Sequence, residues 1–124
     1  MTDLNKKILI VEDSKSYLFI LKESLREAGF SVNTAENGED GLSSAISDKP
    51  DLILSDITMP KMDGITMVKK LKESNIDCPI IFLTNLSDFK NVSEGLQSSK
   101  DYIVKADTSV DDVVVKVKER LLIK

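Results

Sequence analysis

Lys7-Ile8-Leu9-Ile10-Val11 runs into Glu12-Asp13, and Asp51-Leu52-Ile53-Leu54-Ser55 runs into Asp56, so two apolar segments each end on acid. Two later runs end differently: Ile80-Ile81-Phe82-Leu83 leads to Thr84, and Tyr102-Ile103-Val104 leads to Lys105. Apolar runs this short, bounded by polar residues, predict strands. The runs from Ile8, Leu52 and Ile80 are apolar almost continuously, as strands covered on both faces must be, and that is the signature of a parallel sheet. If all four strands run parallel, Glu12, Asp13, Asp56, Thr84 and Lys105 lie together on the C-terminal edge of the sheet. Open α/β sheets bind their ligands at that edge.

Helical patterns fill the intervals. A stripe of Leu18, Leu21, Leu25 and Ala28 follows the first strand, with Ser14 placed to cap it and Gly29 to stop it. Ser31-Val32-Asn33-Thr34-Ala35 reads as a fifth, more polar strand suited to a sheet edge, followed by a helix over 39–47 carried by Leu42, Ala45 and Ile46. After Asp56, Met59-Pro60-Lys61-Met62-Asp63-Gly64 makes a loop, and Ile65, Val68 and Leu71 or Lys72 mark the next helix. A thinly anchored helix is expected over 88–98, on Phe89, Val92 and Leu96, and a final one over 110–122 on Val110, Val113, Val114, Val117 and Leu121, capped by Thr108 or Ser109. Five strands alternating with five helices predict a doubly wound α/β sandwich, with strand order 2-1-3-4-5 and right-handed crossovers. That order places the first strand beside the third, bringing Glu12, Asp13 and Asp56 into one crevice.

Length and composition bound the function. The chain has 124 residues, which suits one domain over 1–124, and a net charge of −4 with both signs interspersed. This is not the footprint of a nucleic-acid binder. Its apolar runs are too short to span a bilayer, and Met1-Thr2-Asp3-Leu4 lacks the features of a signal peptide, so a cytoplasmic location is expected. The chain contains no histidine, which excludes Ser-His-Asp and Cys-His catalysis and histidine-ligated metals, and it excludes the chain as its own phosphohistidine donor. The lone Cys78 reads as a small buried apolar residue, and Phe19, off its helix's stripe, as an exposed aromatic.

Three carboxylates in one crevice repel and stay ionised only if cations compensate them. Oxygen donors of this kind select a hard ion such as Mg²⁺, and Lys105 brings a further positive charge from the far side of the sheet. A carboxylate with an ordinary pKa near ~4 needs no general base to be nucleophilic at neutral pH.

With these residues in order, the whole chain resembles the receiver domains of two-component response regulators. The resemblance rests on Glu12-Asp13, on Asp56 ahead of Met59-Pro60 and Asp63-Gly64, on Thr84, and on Asp101-Tyr102-Ile103-Val104-Lys105. It implies a flavodoxin-like fold and a phosphorylation-activated signalling switch rather than an enzyme. Asp56 is then the phosphoacceptor. Asp13, Asp56 and the backbone carbonyl of Thr58 are direct Mg²⁺ ligands, and Glu12 reaches the metal through water. Thr84 bonds the phosphoryl group, Lys105 pairs with it, and Tyr102 is the aromatic that changes rotamer. The implied donor is a sensor histidine kinase or a histidine phosphotransfer protein; the downstream target is not legible.

The sequence also departs from the family. Ala106 follows Lys105 where most receivers have a cis-linked proline, Asn85 follows Thr84 where a small residue is usual, and Ser98-Ser99-Lys100 replaces a small pair. A cis bond before a non-proline residue costs about 2.5–4 kcal/mol, so a trans Lys105-Ala106 bond is expected. The alternative function is a degenerate receiver that binds a partner without being phosphorylated. A flavodoxin-like cofactor carrier would need a glycine- and hydroxyl-rich loop after the first strand, where Glu12-Asp13-Ser14-Lys15 stands.

Overall fold

Alternation along the strands decides how the sheet is covered, because successive side chains of a strand point to opposite faces. The computed structural model describes residues 6–85 and 102–121. Within them, β1 (Lys7–Val11), β2 (Ser31–Ala35), β3 (Leu52–Asp56), β4 (Ile80–Thr84) and β5 (Tyr102–Val104) form one parallel sheet in the expected order β2-β1-β3-β4-β5. The described helices are α1 (Lys15–Glu27), α2 (Gly38–Asp48), α3 (Gly64–Glu73) and α4 (Val110–Arg120), with a 3₁₀ turn over Lys105–Asp107. The helix expected over 88–98 and the 98–100 segment lie outside the described residues. None of the described helices is long and apolar enough to cross a membrane.

Ile8, Ile10, Leu52, Leu54, Ile81, Leu83 and Ile103 face one way, against Leu18, Leu21 and Leu25 of α1 and Val113 and Val117 of α4. Leu9, Val11 and Ile53 face the other way, against Ala45 of α2 and Met67 and Leu71 of α3. Fully burying one such side chain stabilises by roughly 1.5–3 kcal/mol. A helix cap contributes about 1 kcal/mol, so the two apolar layers dominate the fold and the caps trim its helix ends.

Those ends differ in part from expectation. Gly29 stops α1 at a φ of 103° that other residues adopt at a cost. Asn37, Asp63 and Ser109 cap α2, α3 and α4, accepting from the amides of Asp40, Thr66 and Asp112. The Ser14 hydroxyl makes no cap bond to α1. That hydroxyl lies 3.4 Å from Ser16 Oγ, and the Ser14 backbone N–H donates to Glu12 Oε2 at 2.9 Å.

The inward face of α2 is also corrected. Ala45 is buried and Leu42 packs against the Leu9 layer as expected, but Gly38 and Gly41 are buried with them, while Ile46 is 43% exposed. The helix packs too closely for larger residues there: a Cβ on Gly41 would come within 2.8 Å of both Met67 Sδ and Val11 Cγ2. In α3 the fully buried positions are Met67 and Leu71; Lys72 is exposed, and Ile65 and Val68 are half-buried against Ile57 and Phe82. Cys78 is half-buried beside the Leu9 layer rather than buried, and burial with Asp77 and Asp51 nearby pushes its thiol up to about 11, so it is an unreactive thiol at neutral pH. Phe19 is exposed as expected.

Gly64 ties the fold to the sheet edge. Its N–H donates to Ile57 O at 2.8 Å, and a Cβ there would strike the backbone carbonyl of Asp56. Gly64→Ala is expected to lower stability by about 1–3 kcal/mol, measured by urea denaturation, because backbone has to move to admit the methyl. A loss within measurement error of zero would contradict this close approach.

Candidate functional site at the carboxyl edge of the sheet

Strand register sets the site before any side chain is considered. Val11 pairs with Ser55, Asp56 with Leu83 and Thr84 with Val104, so Glu12, Asp56, Thr84 and Lys105 emerge at neighbouring strand ends. The Glu12 N–H still donates to Ala35 O at 2.9 Å, which carries β1's pairing one residue further and turns Glu12 inward. Glu12 and Thr84 are fully buried, Asp56 is 4% exposed, and Asp13 is exposed to solvent. Carboxylate oxygens of Glu12, Asp13 and Asp56 lie within 4.8 Å of one another.

Lys105 closes this cluster. Its Nζ lies 2.7 Å from Glu12 Oε1 and donates to Asp56 Oδ2 at 3.3 Å. The Lys105-Ala106 bond is trans, as are the other described peptide bonds, and the 3₁₀ turn delivers the ammonium without a cis link. Asp56 Oδ1 accepts from the Ile57 N–H at 2.9 Å. Tyr17, Thr58 and Asn85 complete the lining of the cleft. Thr84, fully buried at the end of β4, does not itself line the cleft, and its hydroxyl donates to the Asn85 carbonyl at 3.0 Å. Tyr102 is half-buried on β5, packed with Ile57 and Phe82.

Burial does most to push the Asp56 carboxyl up to about 7, with Glu12 next and Asp13 adding to it; Lys105 and the Ile57 N–H oppose the shift. The ordinary carboxylate value expected from sequence is therefore corrected, because a strand-end acid beside a second buried acid has lost its water. For Lys105, burial by itself would lower the pKa, but Glu12 and Asp56 more than offset it and hold the ammonium charged. The donor set fits a hard divalent cation: it is all oxygen, it opens to solvent through Asp13, and Asp56 is under-compensated by one lysine.

Tyr17 was missed from the sequence. The helical stripe runs through Leu18, and Tyr17 beside it, in the first turn of α1, reaches the cleft only once the fold sets α1 against the sheet edge. Its ring centroid lies 5.1 Å from Lys105 Nζ.

Comparison with known proteins gives the family. The sequence profile described as "Response regulator receiver domain" matches residues 8–118, and the chain belongs to that family, the receiver domains of two-component systems. The family is regulatory rather than catalytic. The chain is 39% identical over 103 residues to the alkaline phosphatase synthesis transcriptional regulatory protein PhoP of Bacillus subtilis, a match covering 82% of this chain and 43% of PhoP. It is 35% identical over 115 residues to the DNA-binding transcriptional regulator NtrC of Salmonella typhimurium, covering 92% of this chain and 24% of NtrC. The chain thus spans between about a quarter and a half of such relatives. Among solved structures, the Francisella response regulator 1452 receiver domain superposes with a TM-score of 0.84 at 32% identity, over 95% of this chain and 98% of that one. The receiver domain of nitrogen regulatory protein C gives 0.79 at 34%, over 94% of each.

The raised Asp56 value makes a stability prediction. A folded value near 7 exceeds the unfolded value of about 4, so the stability tied to the protonated carboxyl is fully present below about pH 4 and is lost as pH rises through 7. Asp56→Asn keeps a neutral side chain at every pH. In chelator-treated protein, the variant is expected to melt several degrees above the parent at about pH 8, with the gap closing toward about pH 4. A gap independent of pH would contradict the shift.

Proposed function

We propose that the chain is a phosphorylation-activated switch in which Asp56 accepts a phosphoryl group from a phosphohistidine on a sensor histidine kinase or a histidine phosphotransfer protein. The observation that carries this reading is the cluster itself: the Glu12, Asp13 and Asp56 oxygens within 4.8 Å of one another, and the Lys105 ammonium 3.3 Å from Asp56. An ionised Asp56 oxygen attacks phosphorus, the P–N bond of the donor breaks, and the imidazole leaves with the electron pair and takes a proton. The product is an aspartyl phosphate.

Transfer of this kind asks for positioning and charge neutralisation more than for covalent help from the protein. Lys105 stands where it can pair with an oxygen of the incoming group. Asp13, Asp56 and the Thr58 carbonyl, with Glu12 through water, would hold Mg²⁺, which when bound supplies the charge that keeps Asp56 ionised and neutralises phosphoryl oxygens. Without that charge an acid titrating near 7 is only partly nucleophilic at neutral pH. The Thr84 hydroxyl, now on the Asn85 carbonyl, would leave that acceptor to bond the new phosphoryl oxygens. That move frees space toward β5 and lets Tyr102 turn inward, which changes the surface around β5 and α4.

With Mg²⁺ and acetyl phosphate, one phosphate is expected on Asp56, read by intact-mass and peptide mass spectrometry and labile to hydroxylamine. Asp56→Asn abolishes it, and Asp13→Asn slows it by roughly tenfold or more. Base-stable phosphate on a serine or threonine would contradict the acyl-phosphate reading. Labelling that survives chelation of divalent ions would contradict the metal's part in it.

A further inference from the structure

From the geometry we infer that Tyr17 is a positioning residue for Lys105, and that its ring, not its hydroxyl, does the positioning. Lys105 follows the edge strand β5, and its ammonium has to pass the end of β4 to meet Asp56 on β3, two strand spacings of about 4.8 Å away. Little in its own segment fixes it. β5 is three residues long, and the turn that follows is closed by a Thr108 N–H to Lys105 O bond of 3.5 Å, at the long limit of such bonds. The side chain then rotates about four carbon–carbon bonds before the charge is reached.

Tyr17 supplies the missing support from the opposite side of the cleft. It leaves the first turn of α1, which Leu18, Leu21 and Leu25 anchor in the core, and its ring packs against that same layer. The ammonium lies 5.1 Å from the ring centroid, inside the ~6 Å range in which a ring face attracts a cation. Two carboxylates and one aromatic face thus hold the ammonium from three directions. The Tyr17 hydroxyl takes no part: it is buried and has no hydrogen-bond partner among the described residues, which is a cost to the fold. A phenylalanine at this position keeps the ring and removes the unpaired group. A leucine fills similar space and loses the attraction.

The effect on phosphorylation rests on the function proposed above, so the test has two independent readouts. The first is a thermal-stability cycle in chelator-treated protein with Tyr17→Leu, Lys105→Met and the double variant. Tyr17→Leu is expected to lower the melting midpoint more in the Lys105 parent than in the Lys105→Met background, and Tyr17→Phe to equal or exceed the parent. Should Lys105→Met not fold, Lys105→Gln takes its place in the same cycle. The second readout is the rate of Asp56 labelling by acetyl phosphate and Mg²⁺. Tyr17→Leu is expected to slow it about five- to tenfold, with Tyr17→Phe recovering most of the parent rate. Additive losses in the cycle, or a phenylalanine as damaging as the leucine, would overturn the assignment. A parent that takes no label at all counts against the phosphoacceptor reading, while the stability cycle still decides the part played by Tyr17.

Discussion

A fully buried Glu12 and a nearly buried Asp56 at the ends of adjacent parallel strands are the constraint around which this molecule is arranged. Two like charges at such separations repel by about 4 kcal/mol at an effective dielectric near 20, and each has also lost water. Lys105 answers part of that demand, at 2.7 Å from Glu12 and 3.3 Å from Asp56. It does not answer all of it, since Asp56 still titrates near 7. The apolar layers make the arrangement tolerable. Ile10 and Leu54 on one face, and Val11 and Ile53 on the other, fix the strand ends rigidly enough that the carboxylates cannot relax apart.

This incomplete compensation is what suits the edge to a regulatory family. A site balanced by its own lysine would have little use for a cation or a phosphoryl group, whereas an under-compensated one responds to each. Under the function proposed above, Thr84 and Tyr102 would carry that response. The Thr84 hydroxyl donates to a neutral acceptor, the Asn85 carbonyl, and Tyr102 packs half-buried beside Ile57 and Phe82.

Much of this was legible in the sequence because the strands announce themselves twice, once by apolar continuity and once by the polar residue that ends each run. Strand order and edge followed, and with them the meeting of Glu12, Asp13, Asp56, Thr84 and Lys105. What could not be read depended on approach distance and on solvent. Ile46 looked like a core residue of α2 because apolar spacing marks a face but not how near it comes to its neighbour, and here the closest approach falls at Gly38 and Gly41. Ser14 does stand at the N-cap of α1, but its hydroxyl sits by Ser16 rather than on a helix amide, a rotamer choice that residue type does not reveal. Tyr17 was invisible beside the stronger Leu18, Leu21, Leu25 stripe. The Asp56 value near 7 arises from desolvation, which a strand-end aspartate does not reveal until its neighbours are placed.

The most direct measurement is the titration of the Asp56 carboxyl followed by carbon NMR, with and without saturating Mg²⁺. In chelator-treated protein the midpoint is expected near 7, falling below about 5 when the cation supplies the missing charge. A midpoint near about 4 without the cation, or one that Mg²⁺ leaves unmoved, would contradict an under-compensated carboxylate cluster as the basis of the switch.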